Sequence, residues 1–251
     1  MRSPCKNMLK RKKPFTLPLA EGEIIKKRAA ILSRLCMFDE GFCVIPVSSI
    51  SEDTLQEMLS LYDDLFLDGY IRRSYGSLDV TLSSRLISSA GKFICKKGAF
   101  GRITQAEIRM SSDFLFRLDK GSFELNGLSA ATPQEAFLIV FEHELCHAVE
   151  MSLYGRTGHS DRFLALVNGL FGHTATHHKL PTRRQDAQSD GLYIGMQAKF
   201  MYQGQEYHGI VTYIGKTATV MVPDAAGDYR DHRGQRYTKF RVPLSGLNPL
   251  A

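Results

Sequence analysis

Residues 141–163 read FEHELCHAVEMSLYGRTGHSDRF, and the first seven of them constrain this chain more than any other stretch. His143 and His147 are four residues apart. On a helix that spacing is about one turn of rise and 40° of rotation, so both imidazoles leave the same face. Two neutral imidazoles suit Zn²⁺, which takes nitrogen and sulfur ligands in a tetrahedron. Glu144 follows the first histidine, where its carboxylate can reach a water on the ion. This is the HExxH arrangement, in which the metal acidifies the water and polarises a carbonyl while the glutamate moves the proton.

The surroundings predict the helix the motif needs. Thr132 can cap it, Pro133 suits its first position, and Glu135 completes a capping box. It should run to about Leu153 and stop before Gly155. AFLIVFEHELCHAV is apolar over most of its surface, so this helix should be central and buried. A catalytic zinc site takes three protein ligands. A His at 153 or a Glu near 166–172 would supply the third in two common arrangements; Leu153 and LVNGLFG stand there instead. His159, Asp161, His173, His177 and His178 remain. His159 precedes a further helix starting near Ser160, and Gly155 and Gly158 let the chain double back, so His159 is favoured. The other three histidines lie near that helix's C-terminus, where the dipole favours them without any metal.

Elsewhere the chain predicts an α+β protein in two parts. Residues 1–20 read as a basic disordered tail, 21–180 as the metal-site domain, 181–191 as a polar linker, and 192–251 as a small β-barrel. EGEIIKKRAAILSRLC has helical spacing, and FCVIPV looks like a short strand. Ser51 caps a helix that Asp68-Gly69 ends. LDVTLS, GKFICKK and AEIRMS read as a small antiparallel sheet, and DFLFRL as one or two helical turns.

Composition narrows the class. The chain is 43% apolar and 23% charged, as a soluble globular protein is. No apolar run approaches the ~20 residues of a membrane helix, and the basic start has no apolar segment behind it. Five scattered cysteines without a CxxC pair read as reduced thiols in an intracellular protein, in the cytoplasm, nucleoid or nucleus. The net charge of +6 is uneven: +6 over 1–51, −3 over 52–180 and +3 over 181–251. Basic flanks can hold DNA by counterion release, and KRKK at 10–13 can be a phosphate-binding arm, a nuclear address or a solvated tail.

HELCH followed by GHSDRF resembles the SprT-like zinc metalloproteases, the family of Spartan. LYDDLFLDGYI is similar to the family's opening helix, SSRLISSAGKF to its Ser-Ala-Gly strand, and AEIRMSSDFL to the strand and short helix before the zinc helix. The likeness covers roughly residues 52–175. It implies a zincin-like metalloprotease domain, ligands His143, His147 and His159, Glu144 as catalytic acid/base, and cleavage of proteins bound or crosslinked to DNA. No cysteine follows Cys146, so the zinc ribbon of many relatives is replaced by the expected SH3-like barrel. The competing reading is an adaptor that binds nucleic acid or protein around a structural zinc.

Some neighbours invite a bland reading. Cys146 reads as a small buried hydrophobe, and Glu142 and Glu150 as surface charge rather than contacts to the ligand histidines. The barrel's Tyr202, Tyr207, Tyr213, Tyr237 and Phe240, interleaved with Lys199, Arg236, Lys239 and Arg241, can stack bases, but barrel core and strand pairing are favoured.

Overall fold

The computed structural model describes residues 15–45, 47–87, 89–118, 123–176, 187–188 and 191–250. The tail motif at 10–13, most of the linker, and His177 and His178 lie outside them. The chain divides into two compact units, Met1–Leu180 and Pro181–Ala251.

In the first unit, α1 (Glu21–Phe38), α2 (Glu40–Cys43), α3 (Glu52–Leu67) and α4 (Tyr70–Tyr75) come first. Strands β1 (Asp79–Ser83), β2 (Gly91–Lys97) and β3 (Ile103–Ser111) follow, then α5 (Ser112–Arg117) and the hairpin β4 (Phe123–Leu125) and β5 (Leu128–Ala130). The unit ends with α6 (Pro133–Tyr154) and α7 (Asp161–Phe171). Ser51 caps α3 through Thr54 N, and Asp68 and Gly69, both left-handed, end it. Thr132 Oγ1 accepts from Glu135 N while Glu135 Oε2 accepts from Ala131 N, and together these start α6. From Pro133 to Glu150 every position of α6 except Glu135 is buried. The helix threads the core, so any polar group it carries must find a partner there.

The sheet is mixed rather than antiparallel, in the order β1-β3-β2. β2 pairs antiparallel with β3, but β1 pairs parallel with it. β1 and β2 run in opposite directions one strand position apart, and β3 fills the gap between them, parallel to β1. The described residues of FCVIPV form no strand: Asp39 Oδ1 accepts the Phe42 amide and starts α2. The same fold-back brings Cys36 and Cys43 together in a disulfide with Cα atoms 4.9 Å apart, which corrects the expectation of reduced thiols throughout. Nor does a loose tail extend to residue 20. Phe15 is buried against Tyr70, and Leu19 N donates to Gly169 O, because Phe15, Leu17 and Leu19 give this stretch an apolar side to pack.

The second unit holds β6 (Gln197–Tyr202), β7 (Gln205–Ile214), β8 (Thr217–Pro223), β9 (Tyr229–Arg230), β10 (Arg236–Pro243) and β11 (Asn248–Pro249). They form one sheet in the order β11-β6-β7-β8-β10-β9, all antiparallel. Among the described residues no pairing joins β11 to β9, so the sheet does not close into the expected barrel. Phe200, Val211, Ala218, Val220 and Val242 form its core, with Tyr207 and Phe240 packed against them. Ala187 belongs to that core, so this part of the expected linker is structured. Among the described residues no helix is long and apolar enough to cross a membrane.

Candidate metal centre

His143 and His147 project from the second half of α6, and the third imidazole comes from the loop after it. Gly155 ends α6 in the left-handed region (φ 69°), with its amide on Met151 O. A side chain there would be strained, and the sharp exit turns residues 156–160 back over the helix. Glu150 fixes the return. Its carboxylate accepts the Gly158 amide at 3.1 Å and Arg162 Nε at 2.8 Å, and the Arg162 guanidinium lies over the Tyr154 ring.

This delivers His159 to the other two. The Nε2 atoms of His143 and His159 are 3.0 Å apart, those of His147 and His143 3.2 Å, and those of His147 and His159 3.2 Å. A protonated Nε2 has no lone pair to accept with, so three converging Nε2 atoms cannot close a hydrogen-bonded ring among themselves. A cation satisfies all three. Zinc–nitrogen bonds of 2.0–2.1 Å in a tetrahedron place nitrogens about 3.3 Å apart, close to the spacing here. The donor set therefore fits such an ion.

The rings are held from behind. His147 Nδ1 lies 2.7 Å from Thr157 Oγ1; with Nδ1–H donating there, the Nε2 lone pair faces the cluster. Burial, and next the neighbouring His159, push the His147 pKa down to about 4, so the ring is neutral near pH 7. Phe163, from the first turn of α7, stacks on His147 at 4.3 Å between centroids and meets His143 and His159 edge-on. His143 is buried and His159 exposed, so the centre opens to solvent on the loop side.

Glu144 leaves α6 towards β2. Its Oε2 accepts the Phe93 amide at 2.8 Å. Burial pushes its pKa up to about 7, against the pull of that amide. Gly91 makes room for it: a Cβ there would stand 2.7 Å from Glu144 Cγ and 3.1 Å from Val140 Cγ1.

Other predicted residues are placed elsewhere. Asp161 is exposed in the first turn of α7. His173 is fully buried in a second network: Glu142 accepts from Arg28 Nε and Nη2, both at 2.8 Å, from Tyr62 Oη at 2.8 Å and from His173 Nε2 at 2.9 Å. Burial pushes the Glu142 pKa up, but the Arg28 charge and the bonds from His173 and Arg28 outweigh it and hold the carboxyl below its usual range. Cys146 is buried outside the cluster.

Glu142 and Glu150, read as surface charge, are both fully buried. For Glu150 a signal existed: it is seven residues beyond His143, two turns along the same helix face. Thr157 and Gly91 carried no comparable signal, since their roles arise only when distant segments meet.

No model of a known protein family matches the chain, and no curated protein matches it either.

Proposed function

We propose that the chain is a zinc-dependent metalloendopeptidase of the SprT-like type, with His143, His147 and His159 as ligands and Glu144 as general acid/base. The observation that carries this reading is the triangle of Nε2 atoms, 3.0–3.2 Å on a side, with the buried Glu144 next to the first of these histidines on the same helix. When bound, zinc supplies the Lewis acidity that acidifies a water and polarises a peptide carbonyl. The protein does the rest. Thr157 holds the His147 ring in its ligating tautomer, and Glu150 holds the His159 loop. The Phe93 amide engages Glu144 Oε2, which leaves Oε1 as the oxygen that takes a proton and returns it to the departing amine. A carboxyl raised to about 7 is matched to that exchange near neutral pH.

Two finer features suit the same reading. A small sheet lies beside the HExxH helix, and the third ligand sits just ahead of the next helix, as a zincin-like domain of this type requires. In the second unit β11 returns after one 3₁₀ turn, Leu244–Gly246, to pair with β6, a connection suited to an SH3-like module. We take the substrates to be DNA-associated proteins, on the strength of the resemblance and the basic flanks.

Glu144→Gln tests the proposal. The variant should keep zinc and lose cleavage of a loosely folded substrate such as histone, assayed with and without single-stranded DNA. Zinc-loaded wild type that cleaves nothing under either condition would leave the adaptor with a structural zinc as the better reading.

A further inference from the structure

The face of the second unit's sheet opposite its core is a shallow groove of about 570 Å³. Strand register dictates its lining. On β8, Ala218, Val220 and Val222 point into the core, so Thr219 and Met221 point out. Lys239 and Arg241 of β10 pair with Met221 and Thr219 and share that face. Tyr213 of β7 pairs with Thr219 from the other side, and Tyr229 of β9 closes the opposite corner.

Three properties of this face point to one class of ligand. No carboxylate lines it, while Lys216, Lys239 and Arg241 do. Two large rings stand in water there: Tyr213 is 56% exposed and Tyr229 47%. The rings are also seated. Gly215 lies under Tyr213, and a Cβ at that position would come within 2.8 Å of the ring. Lys239 Nζ sits over the Tyr229 ring, 5.5 Å from its centroid, a cation–π contact that places positive charge on one face of the ring. Three strand spacings and four residues of offset separate the two tyrosines, a diagonal of about 20 Å, with the cations between them. An acidic peptide would use the charges and leave the rings idle. Alternating phosphates and bases use both.

We infer that this face binds single-stranded nucleic acid, with bases stacked on Tyr213 and Tyr229 and phosphates on Lys239 and Arg241. The assignment goes beyond the hydrolytic reading and does not depend on it. Its test is fluorescence anisotropy of the full chain with labelled single-stranded DNA and RNA 15-mers over a salt series. Binding of either strand supports it, and a preference for RNA would locate a contact at the 2′-hydroxyl. Tyr213→Ala and Tyr229→Ala should each weaken binding about 5- to 150-fold, the range that stacking of a base supplies. Tyr213→Phe should retain it. Lys239→Ala and Arg241→Ala should each lower the log–log salt slope by about 0.7. All four side chains line an open face, so their replacement leaves the core in place, which circular dichroism checks. Absence of binding by the wild type, unchanged affinity in the four alanine variants, or polyglutamate binding as tightly as the oligonucleotides would each overturn the assignment. Binding is read without cleavage, so its failure leaves the hydrolytic reading standing, and an inert metal centre leaves this one standing.

Discussion

Glu150 accepts the backbone amide of Gly158 at 3.1 Å, tying the last turns of the histidine-bearing helix to the residue immediately before His159. The carboxylate is fully buried and also anchors Arg162, so the loop and the start of α7 share one attachment point. Glu150→Ala removes it while leaving all three histidines. Metal affinity should fall by about 10- to 100-fold, the usual cost of losing a group that orients a ligand. A chelator-competition titration measures this, and unchanged affinity would show that the loop holds itself.

The network around Glu142 should respond differently. His173 bonds to Glu142 and Asn126 rather than joining the imidazole cluster. His173→Gln should therefore leave metal stoichiometry at the wild-type value and lower stability in urea. Arg28→Ala should be worse, by about 3–5 kcal/mol, because it strands a buried carboxylate that Arg28 now pairs bidentately.

Gly91→Ala is expected to damage chemistry without damaging binding. The added Cβ would meet Glu144 Cγ at 2.7 Å and force that side chain off the Phe93 amide. Turnover should drop at least tenfold with metal content unchanged; loss of metal along with activity would mean that the distortion spreads to the histidines.

Acid sensitivity should trace in part to Asp39, whose carboxylate accepts from Phe42 N, Ser51 N and Thr54 Oγ1. Burial pushes its pKa up, and these bonds outweigh it, so the folded value lies below the ordinary one. The stabilisation is then fully present above the unfolded carboxylate pKa of about 3.9 and is lost as pH falls through the lower folded value. Asp39→Asn should cost about 1 kcal/mol at pH 7, because one of the two accepting oxygens becomes an NH₂ group and its hydrogen bonds are lost. The gap between variant and wild type should narrow below about pH 4. A gap constant across the acid range would remove Asp39 from the account.

Local signals were legible in the sequence, and long-range ones were not. Thr132, Pro133 and Glu135 announced α6, and the alternation of GKFICKK announced β2, because caps and side-chain periodicity are properties of neighbouring residues. The i, i+4 spacing of His143 and His147 and the glycines flanking the His159 loop brought the centre into view for the same reason. Strand direction was hidden, since nothing local says that β3 inserts between β1 and β2 and so runs parallel to β1. Burial of Glu142 was hidden because it depends on Arg28, which lies 114 residues away. FCVIPV misled: the run alone reads as a strand, and Asp39 just ahead of it caps a short helix instead.

If three imidazoles hold one divalent ion, mass spectrometry of the purified chain will find that ion. The expected result is one zinc per chain in the wild type and in Glu144→Gln, with substoichiometric zinc in His143→Ala, His147→Ala and His159→Ala. Zinc retained in full by His159→Ala, or absent from the wild type after growth with zinc, would contradict the account.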